Sequence, residues 1–366
     1  NAFYSDDEGT AEPSPIFEGA HLRRSACVDC HNPHNATATP PAQAASSATE
    51  TAGWTAPGRL AGASGVKVAN GAAAGSTPTY TLLGGSNGRM TREYQLCFKC
   101  HSGYTDITNA GFASEPSKWW LDKAIEFNPA NESFHPVEAA GKNRTGKMSD
   151  SLTFSTPYRL FDLTNGGTTD ARDALVRCTN CHSGSPVNGQ TQASDAAVHV
   201  SPNRGILILP LRDRVLKASN AGYSDADSAL CYACHTNRPF KTESDENTAT
   251  NFPFHYKHMS AIAGANGRSG PEFPIDAADP PGTTGVQAGN AICSECHFRL
   301  HSSVTETPAG GGTQDLGNGS RLVSFSPNVS AGSGGVIKWV QATPGDAESG
   351  SCTLKCHGYT HNAKKY

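Results

Sequence analysis

Short apolar segments are separated by long runs of small and polar residues along this 366-residue chain. Residues 35–75, for example, are rich in Ala, Thr, Ser, Gly and Pro, and they show neither helical periodicity nor the alternation of a strand. The few segments that do carry a pattern predict short elements. Helices are expected at residues 92–101, 116–124 and 225–235, and short strands at 206–211 and 336–340.

The composition offers little apolar material for a conventional core. A chain of this length could bury a large core in one to three domains. Yet only 36% of the residues are hydrophobic, and the chain contains 38 Gly and 23 Pro. We therefore predict a mostly irregular, coil-rich fold with short helices and a few short strands, organised by something other than aliphatic packing.

Charge and hydropathy exclude two classes of partner. The net charge is −4 and there is no basic run, so nucleic acid is not an expected partner. No apolar stretch approaches the roughly 18–20 residues that a membrane-spanning helix requires, and no transmembrane segment is expected. The sequence starts at Asn1 in a polar segment without a signal peptide, so an exported protein would be represented here by its mature form.

The 12 cysteines fall into six pairs, and a histidine follows the second cysteine of every pair. Five pairs read C-x-x-C-H, the attachment signature of c-type haem, and the sixth has one extra residue between its cysteines. In this chemistry each sulfur adds to a haem vinyl group, and the adjacent histidine binds the iron. The six motifs are Cys27/Cys30/His31, Cys97/Cys100/His101, Cys178/Cys181/His182, Cys231/Cys234/His235, Cys293/Cys296/His297 and Cys352/Cys356/His357.

The rival interpretations of these cysteines explain less. Zinc ribbons, thioredoxin-like redox sites and disulfides all use paired cysteines, but none requires a histidine after every pair. We therefore predict six covalently attached haem c groups, whose macrocycles supply much of the missing core. The longer sixth spacer is expected to need only a small bulge. Because haem c is attached outside the cytoplasmic membrane, the protein is predicted to be exported.

The remaining histidines outnumber the remaining axial positions. The chain has 14 histidines, so eight are left to serve as distal ligands of six irons. An electron-transfer haem has both axial positions closed, whereas a haem enzyme keeps one open. The surplus therefore favours electron transfer. The eight candidates are His21, His34, His135, His199, His255, His258, His301 and His361.

The haem motifs group into three paired units, at residues 1–120, 121–245 and 246–366, which we expect to form one continuous body. Each unit has one histidine upstream of its first motif and one downstream. In the third unit, the H-x5-G-x-N match between residues 135–143 and 258–266 favours His258, whereas a shared Phe-His pair favours His255. We give the longer match more weight, and His361 is left as a spare, a surface residue or a substitute ligand. The predicted distal ligands are His21, His34, His135, His199, His258 and His301.

His34 and His301 follow a proximal histidine after only a few residues. A side chain at that spacing points away from the iron of its own motif. We therefore expect each of them to bind the iron of a neighbouring haem.

The phrases CVDCHNPH…LCFKCH and CTNCH…LCYACH resemble the doubled C-x-x-C-H module of multihaem cytochromes. The third unit departs from it in its longer final spacer, and the second in lacking a histidine close to its first motif. The chain is also similar to extracellular cytochromes that polymerise into conductive filaments (cytochrome nanowires). That resemblance implies bis-histidine haems stacked along the molecule, a polypeptide wrapped around them, and a homopolymer. In such a filament, His21 would bind the iron of a haem in the neighbouring subunit or that of a haem in its own chain.

These observations together predict an exported hexahaem electron conduit at the cell surface or outside the cell. Its partners would be other cytochromes or extracellular electron acceptors. The alternative is a discrete periplasmic or surface electron carrier. A multihaem reductase is disfavoured, since no proximal histidine is replaced by lysine, so the chain is not expected to be an enzyme.

Overall fold

The computed structural model describes the six cysteine pairs and most of the histidines. His21 and His357 lie outside the described residues, as does the predicted helix up to residue 121. The described residues are 27–36, 60–105, 122–143, 145–152, 164–165, 168–169, 175–184, 198–199, 201–211, 223–245, 250–259, 291–303, 320–326, 329–342, 350–356 and 359–366.

The described helices are short, and five of them contain or overlap a cysteine motif. The longest, α2, has nine residues. The helices are α1 Cys27–Cys30, α2 Glu93–His101, α3 Lys123–Glu126, α4 Gly146–Ser151, α5 Cys178–Cys181, α6 Ala229–Tyr232, α7 Arg238–Lys241, α8 His255–Met259 and α9 Cys293–Cys296.

The described strands form three small antiparallel sheets. Two are hairpins, β1 with β2 and β3 with β4, and the third has the order β5-β6-β7. The strands are β1 Gly65–Ala69, β2 Thr79–Leu83, β3 Thr164–Asn165, β4 Thr168–Thr169, β5 Lys338–Gln341, β6 Gly350–Cys356 and β7 Tyr359–Lys365.

Most of the sequence-based element predictions are met within a few residues. The helix at 92–101 is α2, and the strand at 336–340 is β5. The helix at 225–235 begins as a 3-10 turn over Asp225–Ser228, capped by the Ser224 side chain, and continues as α6. The strand predicted at 206–211 is wrong. Gly205 and Ile206 adopt left-handed conformations, with φ of 71° and 55°, which turn the backbone away from an extended path.

Two hydrophobic clusters form the described core. One lies between β1 and α2 and includes Val66, Tyr94 and Phe98. The other lies on the C-terminal sheet and includes Trp339 and Leu354. Cysteines pack at the edges of both clusters, so the apolar material is gathered around the motifs.

Hydrogen bonds join the three segments that the sequence treats as units. The buried Glu93 carboxylate accepts from the backbone N–H and the hydroxyl of Thr179, at 3.0 and 2.9 Å. The Ser133 hydroxyl donates to that of Ser303 over 3.0 Å.

Within the described part of the chain, no helix has the length and apolar character of a bilayer span.

Candidate metal centres

Four of the six cysteine motifs share the same helical turn. In each, the histidine N–H donates to the carbonyl of the first cysteine, over 2.8 to 2.9 Å. A fifth motif ends α2, with His101 as its last residue. Residues three apart on a helix are neighbours, so the turn brings both sulfurs and the imidazole to one side. The four histidines with this hydrogen bond are His31, His182, His235 and His297.

The sixth motif has a different conformation. Cys352 and Cys356 lie on β6, which pairs with β5 and β7 and has a register irregularity between Cys352 and Leu354. Four residues of extended strand cover about 13 Å, more than twice the separation of neighbours on a helix. The extra residue thus lies in a strand that has a register irregularity between the two cysteines.

The six motifs follow one another in space in the order in which they occur in the chain. The thiol of Cys97 lies close enough to that of Cys178 to raise its pKa, and the thiol of Cys293 does the same to Cys231. The remaining neighbours are close enough to interact electrostatically. These are Cys30 with Cys100, Cys181 with Cys234, and Cys296 with Cys352 and Cys356. Each motif therefore lies beside the next.

None of the 12 cysteines is in a disulfide bond. Burial raises the pKa of Cys181 to about 11 and those of Cys234 and Cys352 to about 12, so these thiols stay protonated at neutral pH. The described residues contain no cluster of three His, Cys, Asp or Glu side chains suited to a metal ion. A cysteine pair followed by a histidine is the arrangement that covalent haem attachment uses.

Three pairs of imidazoles lie at similar separations, with angles between the ring planes of 68°, 42° and 27°. The ring centroids are 6.1 Å apart for His31 and His199, 6.1 Å for His182 and His301, and 6.3 Å for His258 and His361. Two metal–nitrogen bonds of roughly 2.0 Å, each with about 1.1 Å from nitrogen to ring centre, give a separation of about 6.2 Å. The gap therefore has the width that one iron between two axial imidazoles requires.

The backbone anchors the Nδ1 atom of several histidines. Nδ1 donates to Gly205 O over 2.7 Å in His182, to Phe254 O over 2.7 Å in His258, and to Leu322 O over 3.1 Å in His297. The His135 Nδ1 bonds to Leu300 O. A ligating histidine typically bonds through its second nitrogen to an oxygen in this way, which fixes the ring and leaves Nε2 to the metal.

Two of these carbonyls come from left-handed turns. Leu322 itself has a φ of 56°, and Gly205 has a φ of 71°. In both places the following segment forms a bridge to the histidine, His182 with Leu207 and His297 with Ser324. The third and the fifth motif are thus each supported by a left-handed turn of the same kind. No periodicity in the sequence indicates these two turns.

The buried histidines are neutral at physiological pH. Burial is the main cause of the lowered pKa in each case, and nearby lysine or histidine side chains add to it in all of them except His297. The pKa is about 4 for His101 and His235 and about 3 for His255. The pKa values of His135, His182 and His297 are also lowered. Neutral imidazole is the form that binds a metal.

The remaining predicted ligands are placed less completely. His135 lies close enough to His235 to lower its pKa, and His297 has the same effect on His255. His34 is exposed. His255 and His258 are both in α8, so the structure brings both alternatives of the third unit to one place. The distal roles of these histidines stay predictions.

Glu126 is a candidate that the sequence patterns do not reveal. Its buried carboxylate accepts from His301 Nδ1 over 3.0 Å and from Lys123 Nζ over 2.5 Å. Burial acts to raise the pKa of this carboxyl, but Lys123 and His301 outweigh it and set the pKa at about 2. The charged carboxylate therefore orients His301 toward His182. The contact spans far-apart parts of the chain, because residues 133–135 pair with residues 301–303.

Comparisons with protein-family models, with curated proteins and with solved structures found no match for this chain.

Proposed function

We propose that this protein is a hexahaem c-type cytochrome that transfers electrons along a row of closely spaced haems. The observation that carries the proposal is the spatial order of the six cysteine motifs, each beside the next. Bound haem would supply the redox chemistry, through iron that cycles between the ferric and ferrous states.

The residues of this chain would anchor and close the sites. The cysteines would hold each macrocycle by thioether bonds, and the histidines would occupy both axial positions. At the two haems that would lie between the imidazole pairs at 6.1 Å, no coordination position would stay open for a substrate, which favours electron transfer over reductase chemistry there. The hydrogen bonds to Nδ1 would hold the imidazoles in place when the iron changes its oxidation state.

The proposal includes export and assembly into a filament, with a discrete carrier as the alternative. Three exposed apolar side chains support contacts at the ends of the motif series. Val28 and Val198 are 58% and 45% exposed and lie beside the paired His31 and His199. Val340 is 42% exposed and lies on β5, which pairs with the strand of the sixth motif. Head-to-tail association of copies would cover these side chains.

The test is to purify the natively secreted protein, count its haems by intact mass, and image it by electron microscopy without denaturant. We expect six haems per chain, electron paramagnetic resonance (EPR) signals of low-spin bis-histidine iron, and ordered filaments. Six haems in discrete particles would support the carrier instead. A chain without covalent haem would refute the proposal.

A further inference from the structure

Two histidines that are far apart in the sequence lie opposite each other in a short antiparallel pairing. We call the two paired segments the histidine ribbon, which consists of residues 133–135 and 301–303. Phe134 pairs with Ser302, and the His135 N–H donates to the His301 carbonyl over 2.9 Å. In this register His135 is directly opposite His301. Directly opposed residues of antiparallel strands point to the same face, so the two imidazoles lie side by side.

Buried serines hold the histidine ribbon in this register. The Ser133 hydroxyl donates to that of Ser303 over 3.0 Å, and the Ser303 N–H donates to the Ser133 carbonyl over 3.3 Å. The Ser133 hydroxyl also accepts from the Leu322 N–H over 2.7 Å. The Leu322 carbonyl in turn holds Nδ1 of His297, the histidine of the fifth motif. The ribbon is therefore tied to the backbone that supports a haem motif.

Both imidazoles of the ribbon are anchored through Nδ1. The His135 Nδ1 bonds to the Leu300 carbonyl, and the His301 Nδ1 donates to the Glu126 carboxylate over 3.0 Å. A histidine that binds a metal typically has one ring nitrogen bound to an oxygen in this way. Each ring would therefore present Nε2 to an iron.

The third and fourth motifs each have one histidine of the ribbon beside their own. The ring centroid of His301 is 6.1 Å from that of His182, the separation that one iron between two imidazoles requires. His135 lies close enough to His235 to affect its protonation. The two motifs are neighbours in space, and both form the helical turn that brings sulfurs and imidazole to one side. Two adjacent histidines thus lie beside two adjacent motifs.

We propose that the histidine ribbon supplies the distal ligands of two consecutive haems, with His301 binding the iron at the third motif and His135 the iron at the fourth. The motif histidines His182 and His235 keep the proximal positions. The inference rests on the proposed function and deepens it, because it pairs each of these two histidines with one iron. A single backbone pairing would then fix the separation of two neighbouring distal ligands.

The experiment replaces His135 and His301 by methionine, singly and together, in the full-length secreted protein. Haems are counted by intact mass, and histidine–methionine ligation is read by near-infrared magnetic circular dichroism. We expect each single variant to keep six haems and to convert one of them to histidine–methionine ligation with a raised potential. The double variant should convert two. Glu132→Met is the matched control, since this exposed residue adjoins the ribbon, and it should leave the wild-type spectrum unchanged.

Removing one haem at a time identifies the iron that each histidine binds. In a chain without the third haem, H301M should produce no histidine–methionine signal, whereas H135M should still produce one. In a chain without the fourth haem, we expect the reverse. The two haem-deletion chains are C178A/C181A and C231A/C234A, each with five haems by intact mass.

A signal from H301M that survives the loss of the third haem would overturn the inference, and so would a signal from H135M that survives the loss of the fourth. The single and double variants test the inference without the deletion chains, because a double variant with only one converted haem would also overturn it. All of these outcomes would leave six covalent haems in the wild-type protein and the proposed function intact. A wild-type protein without covalent haem would instead refute the proposed function itself.

Discussion

The contact between Glu126 and His301 can be used to test whether a nearby negative charge lowers the reduction potential of a proposed haem. Seven histidines have a described Nδ1 contact, and only the partner of His301 is a carboxylate; the others are backbone carbonyls or hydroxyls. A carboxylate acceptor makes the imidazole a stronger donor and stabilises ferric iron. A haem bound between His182 and His301, as proposed, should therefore have a lowered potential.

The substitution Glu126→Gln removes the charge but keeps an acceptor at the same place. A hydrogen bond to a charged group contributes about 1.5–3 kcal/mol. If roughly 1.4 kcal/mol of this differs between the ferric and ferrous forms, the potential rises by about 59 mV. We expect one of the six haems to shift upward on this order in an EPR-monitored redox titration, with the other five unchanged.

The matched control is Asp225→Asn, since Asp225 also pairs with a lysine, Lys241, at 2.9 Å, but not with a histidine among its described partners. It should leave all six potentials unchanged. An unchanged or lowered potential in E126Q would refute the reasoning, because it would mean that the charge of Glu126 does not reach the iron through His301.

The same carboxylate makes a pH-dependent contribution to stability. The folded pKa of about 2 lies below the ordinary 4.5, so the unfolded chain binds the extra proton between these values. This stability is present above pH 4.5 and is lost as the pH falls towards 2. The difference corresponds to about 3 kcal/mol. In urea unfolding, wild type should lose this amount between pH 5 and pH 2 relative to E126Q, and parallel pH profiles would contradict the assignment.

Two further predictions concern attachment and packing. Replacing Cys27 and Cys30 together by alanine should lower the intact mass by one haem and leave five, whereas a mass loss of zero or of several haems would contradict independent attachment at each motif. Phe98→Ala should destabilise the protein by about 3–5 kcal/mol in urea unfolding, because the ring is 1% exposed in the first cluster. The exposed Leu82→Ala should change stability by less than about 0.5 kcal/mol, and equal effects of the two would rule out the described core.

The sequence alone led to the chemistry proposed for the candidate sites. A cysteine pair followed by histidine is a local motif, so its recurrence can be read without knowing any tertiary contact. The coil-rich character is also a property of composition, and α2 and β5 follow from local patterns. The strand predicted at 206–211 failed because Ile206 adopts a left-handed conformation that its residue type disfavours.

Only the tertiary structure decided which histidines meet. His199 lies far along the chain from His31, and His301 from His182, so no spacing rule relates the members of these pairs. The same is true of Glu126, whose contact with His301 depends on the pairing of two distant segments. Spacing also could not show that the sixth motif lies on a strand beside His361, because its conformation is imposed by hydrogen bonds to β5 and β7. Local chemistry is encoded in residue order, whereas the partners of each imidazole depend on how distant segments of the chain pack together.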